Sequence, residues 1–268
     1  MRPSEVQAWV KGRADVLAPA TVEVVYRYLA AIFAAAVDDR LIAASPCGRK
    51  VKLPRREEGQ VVPLPVAAVR SLVDAMPARY RALVVMAAGT GLRQGECFGV
   101  TLDRVDFLRR QVTVDRQLLL LPGAPPRLAP PKTDASRRTV PLPGIVVDGL
   151  ARHLSAFPAG PEGLVFTAAD GAGVRRNRFG EVWRRAVAAA GMPEGTHFHD
   201  LRHFYASLLI AHGESVKVVQ ARLGHKTATE TLDTYGHLWP DSEDATRAAV
   251  DAVLGAAACA PDVHHQAP

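Results

Sequence analysis

The chain has 268 residues, of which 48% are hydrophobic and 22% are charged, a composition typical of a globular protein with a sizeable core. Its 33 Lys and Arg residues against 27 Asp and Glu residues give a net charge of +6, which favours a polyanionic partner without proving one. Three widely spaced cysteines argue against a disulfide framework and a zinc site. The longest charge-free apolar run is far shorter than a membrane helix, and the N-terminus does not resemble a secretory signal, so we expect a cytoplasmic protein without a membrane span.

The first part of the chain, residues 1–58, is predicted to form a small helical unit followed by a basic linker. A short helix is expected around Val6–Val10, and a long amphipathic helix over residues 21–42, with Thr21 as a cap. The stretch Pro46–Pro65 is rich in Pro, Gly and charge and is predicted to be the linker.

That linker contains "RKVKLPRR", with five basic residues in eight positions and no acid. Taken alone, the run is more typical of a solvated linker than of a DNA contact. If it binds DNA, the contacting residues are Arg49, Lys50, Lys52, Arg55 and Arg56.

Residues 59–256 are predicted to form a larger domain of mainly α structure with a small antiparallel β-sheet, an α+β fold. Helices are expected first, then β-like runs that alternate β-branched and polar residues, then helices again, and the tail 257–268 is expected to be disordered. The expected helices cover residues 67–75, 80–88, 144–156, 178–190, 200–212, 215–223, 227–235 and 242–254.

A second basic cluster lies in "GVRRNRFGEVWRRAV", where the helical period places Phe179, Val182 and Trp183 on an apolar face. This pattern predicts a helix with one side in the core and a basic rim. The DNA-contacting candidates on that rim are Arg175, Arg176 and Arg178.

The segment "HFHDLRH" allows two interpretations. His199 and His203 have the spacing of two zinc ligands on one helical face, but the Glu of the zinc-protease motif is absent, and Arg202 is a poor neighbour for a metal. His199 and Arg202, three residues apart, suit a single anion near a helix N-terminus instead. We therefore expect an anion site and no metal.

Four further motifs complete a set with "HDLRH": arginine in "TGLRQGE", lysine in "PPKTDASRR", histidine in "RLGH" and tyrosine in "LDTYGH". Each residue taken singly has an ordinary structural explanation, such as a surface arginine or a core aromatic. Together and in this order they resemble the tyrosine recombinase family, and more narrowly the integrases of phages and integrative elements from GC-rich, actinobacterial-type bacteria. The resemblance covers roughly residues 1–256 and implies a catalytic set of Arg93, Lys132, His199, Arg202, His225 and Tyr235.

The resemblance also implies a role for each of these residues. The two arginines would clamp the phosphate, His199 would help to deprotonate the Tyr235 nucleophile, Lys132 on a β-turn would protonate the leaving oxygen, and His225 would hydrogen-bond the phosphate. Glu96 is expected to orient Arg93 from behind the site. The reaction needs neither metal, ATP nor another cofactor.

The implied partner is double-stranded DNA at attachment sites. The protein would be a monomer when free and would assemble into a homotetramer on paired DNA sites, with accessory bending or directionality factors. The segment before the catalytic domain is shorter than the helical core-binding domain of the family, so we interpret it as a partial one. This leaves open an alternative, a truncated and catalytically silent DNA-binding relic of an integrase. A type IB topoisomerase fits the sequence less well.

Overall fold

The computed structural model describes residues 1–48, 50–55, 59–121, 124–239 and 243–258. The chain divides into two compact units, residues 1–59 and 60–268. Of the expected disordered tail, residues 257 and 258 belong to the last helix, and residues 259–268 lie outside the described part.

The first unit is a pair of helices, α1 (Pro3–Ala14) and α2 (Pro19–Asp38), as the sequence predicted. The cap was placed wrongly: α2 begins two residues before Thr21, next to Ala18, which has no capping side chain. Pro19 explains the earlier start, since its fixed φ suits the first helical turn. The shared core is formed by Val6, Val10, Val22 and Val51.

Part of the predicted linker is docked on this unit. Val51 is buried in the valine core, and the Gln7 side chain bonds both the backbone N–H (2.6 Å) and the carbonyl (3.1 Å) of Lys52. The segment around Lys52 is therefore held on α1 and does not run free. The side chains of Lys50, Lys52 and Arg55 are exposed, while Arg49 and Arg56 lie outside the described residues.

Helix α2 is apolar along most of its length but only slightly buried. It spans 20 residues with a mean hydropathy of 1.5, and 6% of the most apolar stretch is buried. By length and composition alone it is long and apolar enough to cross a membrane. It contains no long charge-free run, because Glu23 and Arg27 lie within it. Core helices of soluble proteins and N-terminal signal sequences pass the same test of length and composition.

The second unit is built from helices around two small antiparallel sheets, which confirms the predicted α+β class. One sheet has the order β1 (Val105–Asp106), β2 (Gln111–Val114), β5 (Arg138–Pro141), and the other pairs β3 (Gln117–Leu119) with β4 (Arg127–Ala129). The helices are α3 (Val66–Ala75), α4 (Ala78–Thr90), α5 (Gln94–Phe98), α6 (Gly144–Ala156), α7 (Arg176–Ala189), α8 (Asp200–Ala211), α9 (Val216–Leu223), α10 (Ala228–Tyr235) and α11 (Glu243–Ala258).

Helix α4 is the central element, packed against both α6 and α8. Leu83, Val84 and Met86 are fully buried along it. The sequence predicted that the helix ends at Ala88, but it continues through Gly89 to Thr90. A Cβ at Gly89 would come within 2.5 Å of a Val146 methyl, so this glycine permits the close packing of α4 on α6 and does not end the helix.

Helix α7 confirms the predicted amphipathic pattern. Phe179 and Trp183 are buried, whereas the arginines of its rim are exposed. Phe179 packs edge-on against Phe98 and Phe198, with ring centroids 5.2 and 5.7 Å apart. This aromatic cluster joins α7 to α5 and to the segment that leads into α8.

Candidate active site

Arg202 lies at the centre of the candidate site, on the first turn of α8. Its side chain is buried, with 2% of the residue exposed. The guanidinium donates to the carbonyls of Gly91 (2.8 Å) and Leu223 (2.7 Å). These two residues lie where α4 and α9 end. Of its five N–H groups, the described residues accept two, which leaves donors for a bound anion.

The position of Arg202 depends on the backbone conformation of Gly91. This glycine ends α4 in the left-handed region (φ +65°), and a Cβ there would lie 2.4 Å from the Tyr205 ring. Only glycine fits this turn, which aims the carbonyl at the guanidinium. Burial and the charge of Arg93 lower the pKa of Arg202 to about 9, so it remains a cation at neutral pH.

Arg93 precedes α5 and is more open than Arg202. Its side chain is 37% exposed, and it donates to a Glu96 carboxylate oxygen at 3.2 Å and to the Gly224 carbonyl at 3.5 Å. The second Glu96 oxygen accepts the Arg93 backbone N–H at 2.8 Å, so Glu96 caps the helix as well. The contact supports the prediction that Glu96 orients Arg93.

Arg138 holds Glu96 in place, a role that was not predicted from the sequence. It sits on β5 with its side chain 6% exposed and donates two bonds to Glu96, at 2.9 and 3.2 Å, and one to the Arg222 carbonyl at 2.7 Å. Burial raises the pKa of Glu96, but the hydrogen bonds and charge of Arg138, together with Arg93, lower it overall. Glu96 is therefore an anion clamped between two arginines.

Tyr235 ends α10 with its ring buried, 1% exposed. Its hydroxyl lies 2.9 Å from Nδ1 of His203, one turn after His199 on α8. Burial raises the pKa of Tyr235 to about 12, although the charges of Arg202 and Arg93 oppose the rise. His203 lies outside the catalytic set that was predicted from the sequence.

His225 follows the turn that ends α9 and is nearly buried. Its Nδ1 lies 2.9 Å from the hydroxyl of Thr231, and its ring stacks parallel to Tyr235 at 6.4 Å. Burial and the charge of Arg202 lower its pKa to about 4, so the imidazole is neutral at physiological pH. The contact with Thr231 leaves Nε2 as the atom for another partner, although the Glu230 carboxylate lies 3.9 Å from it.

His199 immediately precedes α8, and its ring lies edge-on to that of His203 at 4.8 Å. Partial burial and then the neighbouring His203 and arginines lower its pKa. The residue is nonetheless more exposed than His203. Within the described residues, no group of three or more His, Cys, Asp or Glu side chains is arranged to hold a metal ion.

Lys132 lies on the segment that joins β4 to β5, which connects strands of two different sheets. The segment runs beside β3, where the Gln117 side chain bonds the Pro130 carbonyl, and then beside Gly224, close to the Ala135 carbonyl. The Lys132 side chain is exposed, and no described residue forms a hydrogen bond or ion pair with it. The structure therefore brings the segment that carries Lys132 next to Gln117 and Gly224.

A cleft of about 570 Å³ opens beside Arg93 and His199. Its far wall is α7, which contributes Arg176 and Arg184. Of the predicted rim residues, Arg175 and Arg178 are exposed but do not line this cleft, and Arg178 lies 3.8 Å from Asp170. The cleft is therefore lined by cations from two parts of the chain, Arg93 before α5 and Arg176 and Arg184 on α7.

Chemically, the site combines two arginine cations, neutral imidazoles and one buried phenol. Such an arrangement suits an anion held against the phenol oxygen, because fixed guanidinium groups stabilise charge that develops on it.

A profile of the phage integrase family matches residues 62–241. The chain is 29% identical over 246 residues to a tyrosine recombinase XerC-like protein of Caldanaerobacter subterraneus subsp. tengcongensis, covering 82% of this chain and 63% of that protein. It is 29% identical over 233 residues to the integrase of Mycobacterium phage L5, covering 85% of this chain and 61% of that one. The chain thus spans about three fifths of the length of these relatives.

Among solved structures, the fold is similar to that of the Tn1549 transposon integrase in complex with a circular intermediate DNA. The TM-score is 0.80 at 23% identity, and the match covers 94% of this chain and 85% of that one. At this identity the likeness establishes the fold alone.

Proposed function

Because the chain belongs to the phage integrase family, we propose that it is a site-specific DNA recombinase that cuts and rejoins DNA through a 3′-phosphotyrosine link at Tyr235. The observation that carries the proposal is the buried Tyr235 hydroxyl beside the charges of Arg202 and Arg93: burial raises its pKa to about 12, and the two charges oppose that rise. A phenol among cations is suited to attack an anionic phosphodiester.

Arg202 and Arg93 form the phosphate clamp in this proposal. Charge on the non-bridging oxygens grows as the phosphorus becomes five-coordinate, and preorganised donors stabilise that charge without reorganisation. The carbonyls of Gly91 and Leu223 hold Arg202 rigidly, and Glu96 holds Arg93. His225 donates from Nε2 to the same phosphate, since Nδ1 faces Thr231.

Lys132 supplies the proton for the departing 5′-oxygen. An alkoxide is a poor leaving group, so a general acid at this position lowers the barrier. The exposed ammonium must move toward the phosphate when DNA binds, and its position on an open connecting segment permits that movement.

Double-stranded DNA lies along the cleft beside Arg93, with Arg176 and Arg184 on its far wall. Basic residues of the first unit add phosphate contacts, and the proposed set there is Arg49, Lys50, Lys52, Arg55 and Arg56. Residues 1–58 then act as a helical DNA-binding unit, residues 59–256 as the catalytic domain, and the reaction takes place in the cytoplasm without a cofactor.

Strand exchange takes place in a homotetramer on paired sites. Helix α11 supports this assembly, because Val250, Val253 and Leu254 are 49%, 72% and 66% exposed. An apolar helical face that is open in one chain is suited to dock on a neighbouring protomer. Accessory bending or directionality factors belong to the same proposal.

The test uses a library of nicked DNA duplexes with random sequence beside the nick, so that cleavage releases a short strand and traps the enzyme. Wild-type protein should form covalent adducts that survive denaturing electrophoresis, and Tyr235→Phe should form none while its DNA affinity stays nearly unchanged. Adducts in the Phe variant would overturn the assignment of Tyr235. DNA binding without any wild-type adduct would instead support a catalytically silent relic.

A further inference from the structure

The hydroxyl of Tyr235 has a specific hydrogen-bond partner in this structure. Nδ1 of His203 lies 2.9 Å from it, with both groups at least half-buried, and the two rings meet at 63°. This distance suits a full hydrogen bond between the hydroxyl and an imidazole nitrogen.

We propose that His203 is a catalytic residue whose Nδ1 accepts the Tyr235 proton as the phenol oxygen attacks phosphorus. The inference rests on the proposed recombinase function and deepens it, because it assigns the general base to His203 and not to His199. A general base must lie within hydrogen-bond reach of the proton that it removes.

The other two histidines are placed for different tasks. His199 is exposed and contacts the edge of the His203 ring, and the structure records no hydrogen bond between it and Tyr235 among the described residues. His225 lies parallel to the Tyr235 ring at 6.4 Å, with Nδ1 directed at Thr231. His203 alone of the three meets the reacting hydroxyl.

The charge state of His203 suits this role. Burial lowers its pKa, Asp200 acts in the opposite direction, and Arg202 lowers it further, so the ring is neutral and one nitrogen can accept. Burial also raises the pKa of Tyr235 to about 12, so the phenol holds its proton until attack. A proton that leaves only during the reaction needs an acceptor at the oxygen.

The proton balance closes without any further reagent. As the bond between Tyr235 Oη and phosphorus forms, the phenol proton moves to Nδ1 of His203, the bond from phosphorus to the 5′-oxygen breaks, and Lys132 protonates that oxygen. Rejoining runs in reverse: the incoming 5′-hydroxyl returns a proton to the Lys132 amine, and His203 returns its proton to the departing Tyr235 oxygen.

The test compares His203→Asn with His203→Ala on a nicked duplex selected by the wild-type protein. The Asn amide oxygen can occupy the place of Nδ1 and accept a hydrogen bond, but it cannot take up a proton. Both variants should cleave on the order of 10²-fold or more slowly, the scale for loss of a general base. Free imidazole should speed cleavage by His203→Ala and not by His203→Asn.

The matched control is His212→Ala, which removes an exposed histidine just after the last residue of the same helix and should leave cleavage unchanged. Thermal unfolding verifies that the variants fold. A 5′-bridging phosphorothiolate adds a second check, because loss of a base on the nucleophile should slow cleavage of sulfur and oxygen substrates alike. Cleavage by His203→Asn within about threefold of wild type would overturn the proposal and make His203 a positioning residue, and so would the absence of imidazole rescue in His203→Ala.

Failure of the proposed function gives a different result, namely no adduct with wild-type protein on any duplex. The hydrogen bond is then tested directly by NMR of protein with ¹⁵N-labelled histidine. The Nδ1 resonance of His203 should shift in Tyr235→Phe, and an unchanged resonance would refute the contact on which the inference rests.

Discussion

Arg202→Ala is expected to destabilise the second unit, whereas Arg93→Ala is expected to change its stability little, although both arginines belong to the same proposed clamp. Arg202 is 2% exposed and donates to two backbone carbonyls at 2.8 and 2.7 Å. A hydrogen bond from a charged donor contributes about 1.5–3 kcal/mol. Loss of the two bonds from Arg202 leaves both carbonyls without this donor, at a gross cost of about 3–6 kcal/mol.

Relief of the desolvation cost of a buried charge offsets part of this, so we expect a net loss of about 2–4 kcal/mol. In a unit of this size the melting temperature should fall by roughly 5–15 °C. Arg93 has a side chain 37% exposed and longer hydrogen bonds of 3.2 and 3.5 Å, so its removal should cost less than about 1 kcal/mol.

Cleavage should show no such contrast. In the proposed mechanism each arginine supplies preorganised donors to the developing charge, so both variants should cleave about 10²- to 10³-fold more slowly. The assays are urea and thermal unfolding beside single-turnover cleavage of a nicked duplex. Arg109→Ala, which removes an exposed arginine (79%), is the control and should alter neither.

Equal losses of stability in the two variants would refute the structural reasoning about the buried donors. A change in cleavage of less than about threefold in either would place the phosphate clamp elsewhere.

Four further outcomes are expected. Lys132→Ala should be severely impaired on ordinary DNA and nearly wild type on a 5′-bridging phosphorothiolate, and equal impairment on both would mean that Lys132 positions DNA. Neutralising the five basic residues of 49–56 should flatten a plot of log affinity against log salt, and an unchanged slope would make the segment a solvated surface. Deletion after Pro240 should weaken cooperative binding to paired half-sites in a gel-shift titration but spare single half-sites, and lost stability with full cooperativity would show that α11 packs in its own chain. The folded pKa of Glu96 is lowered from 4.5, so its ionised form stabilises the fold above about pH 4.5, and that stability is lost as the pH falls through the lowered value. Glu96→Gln and wild type should therefore differ in unfolding free energy near neutrality and converge in acid. A difference that stays constant with pH would contradict the ion pair.

The sequence was sufficient for elements whose pattern is local. Helix α6 has the predicted bounds, and α7 has the predicted apolar face. In each segment the hydrophobic residues recur with the helical period of 3.6 residues. Boundaries set by tertiary packing were missed. Gly89 continues α4 because α6 packs closely against it, and Val51 anchors the supposed linker in a core that no local pattern shows.

The candidate site divides in the same way. Glu96 was found because it lies three residues from Arg93, whereas Arg138 meets Glu96 across 42 residues and looks like an ordinary basic residue in "SRRT". His203 was in view in "HDLRH", but its contact with Tyr235, 32 residues away, depends on how α8 and α10 pack. The side chains that support a site are therefore harder to predict than those that its motifs display.

The identity of the residue that becomes linked to DNA tests the central claim most directly. Wild-type adducts from a nicked duplex can be digested with trypsin and nuclease, and the peptide that carries a residual nucleotide can be sequenced by mass spectrometry. We predict a single modified site at Tyr235, joined to a 3′-phosphate. A nucleotide attached to any other tyrosine or to a serine would contradict the proposed mechanism.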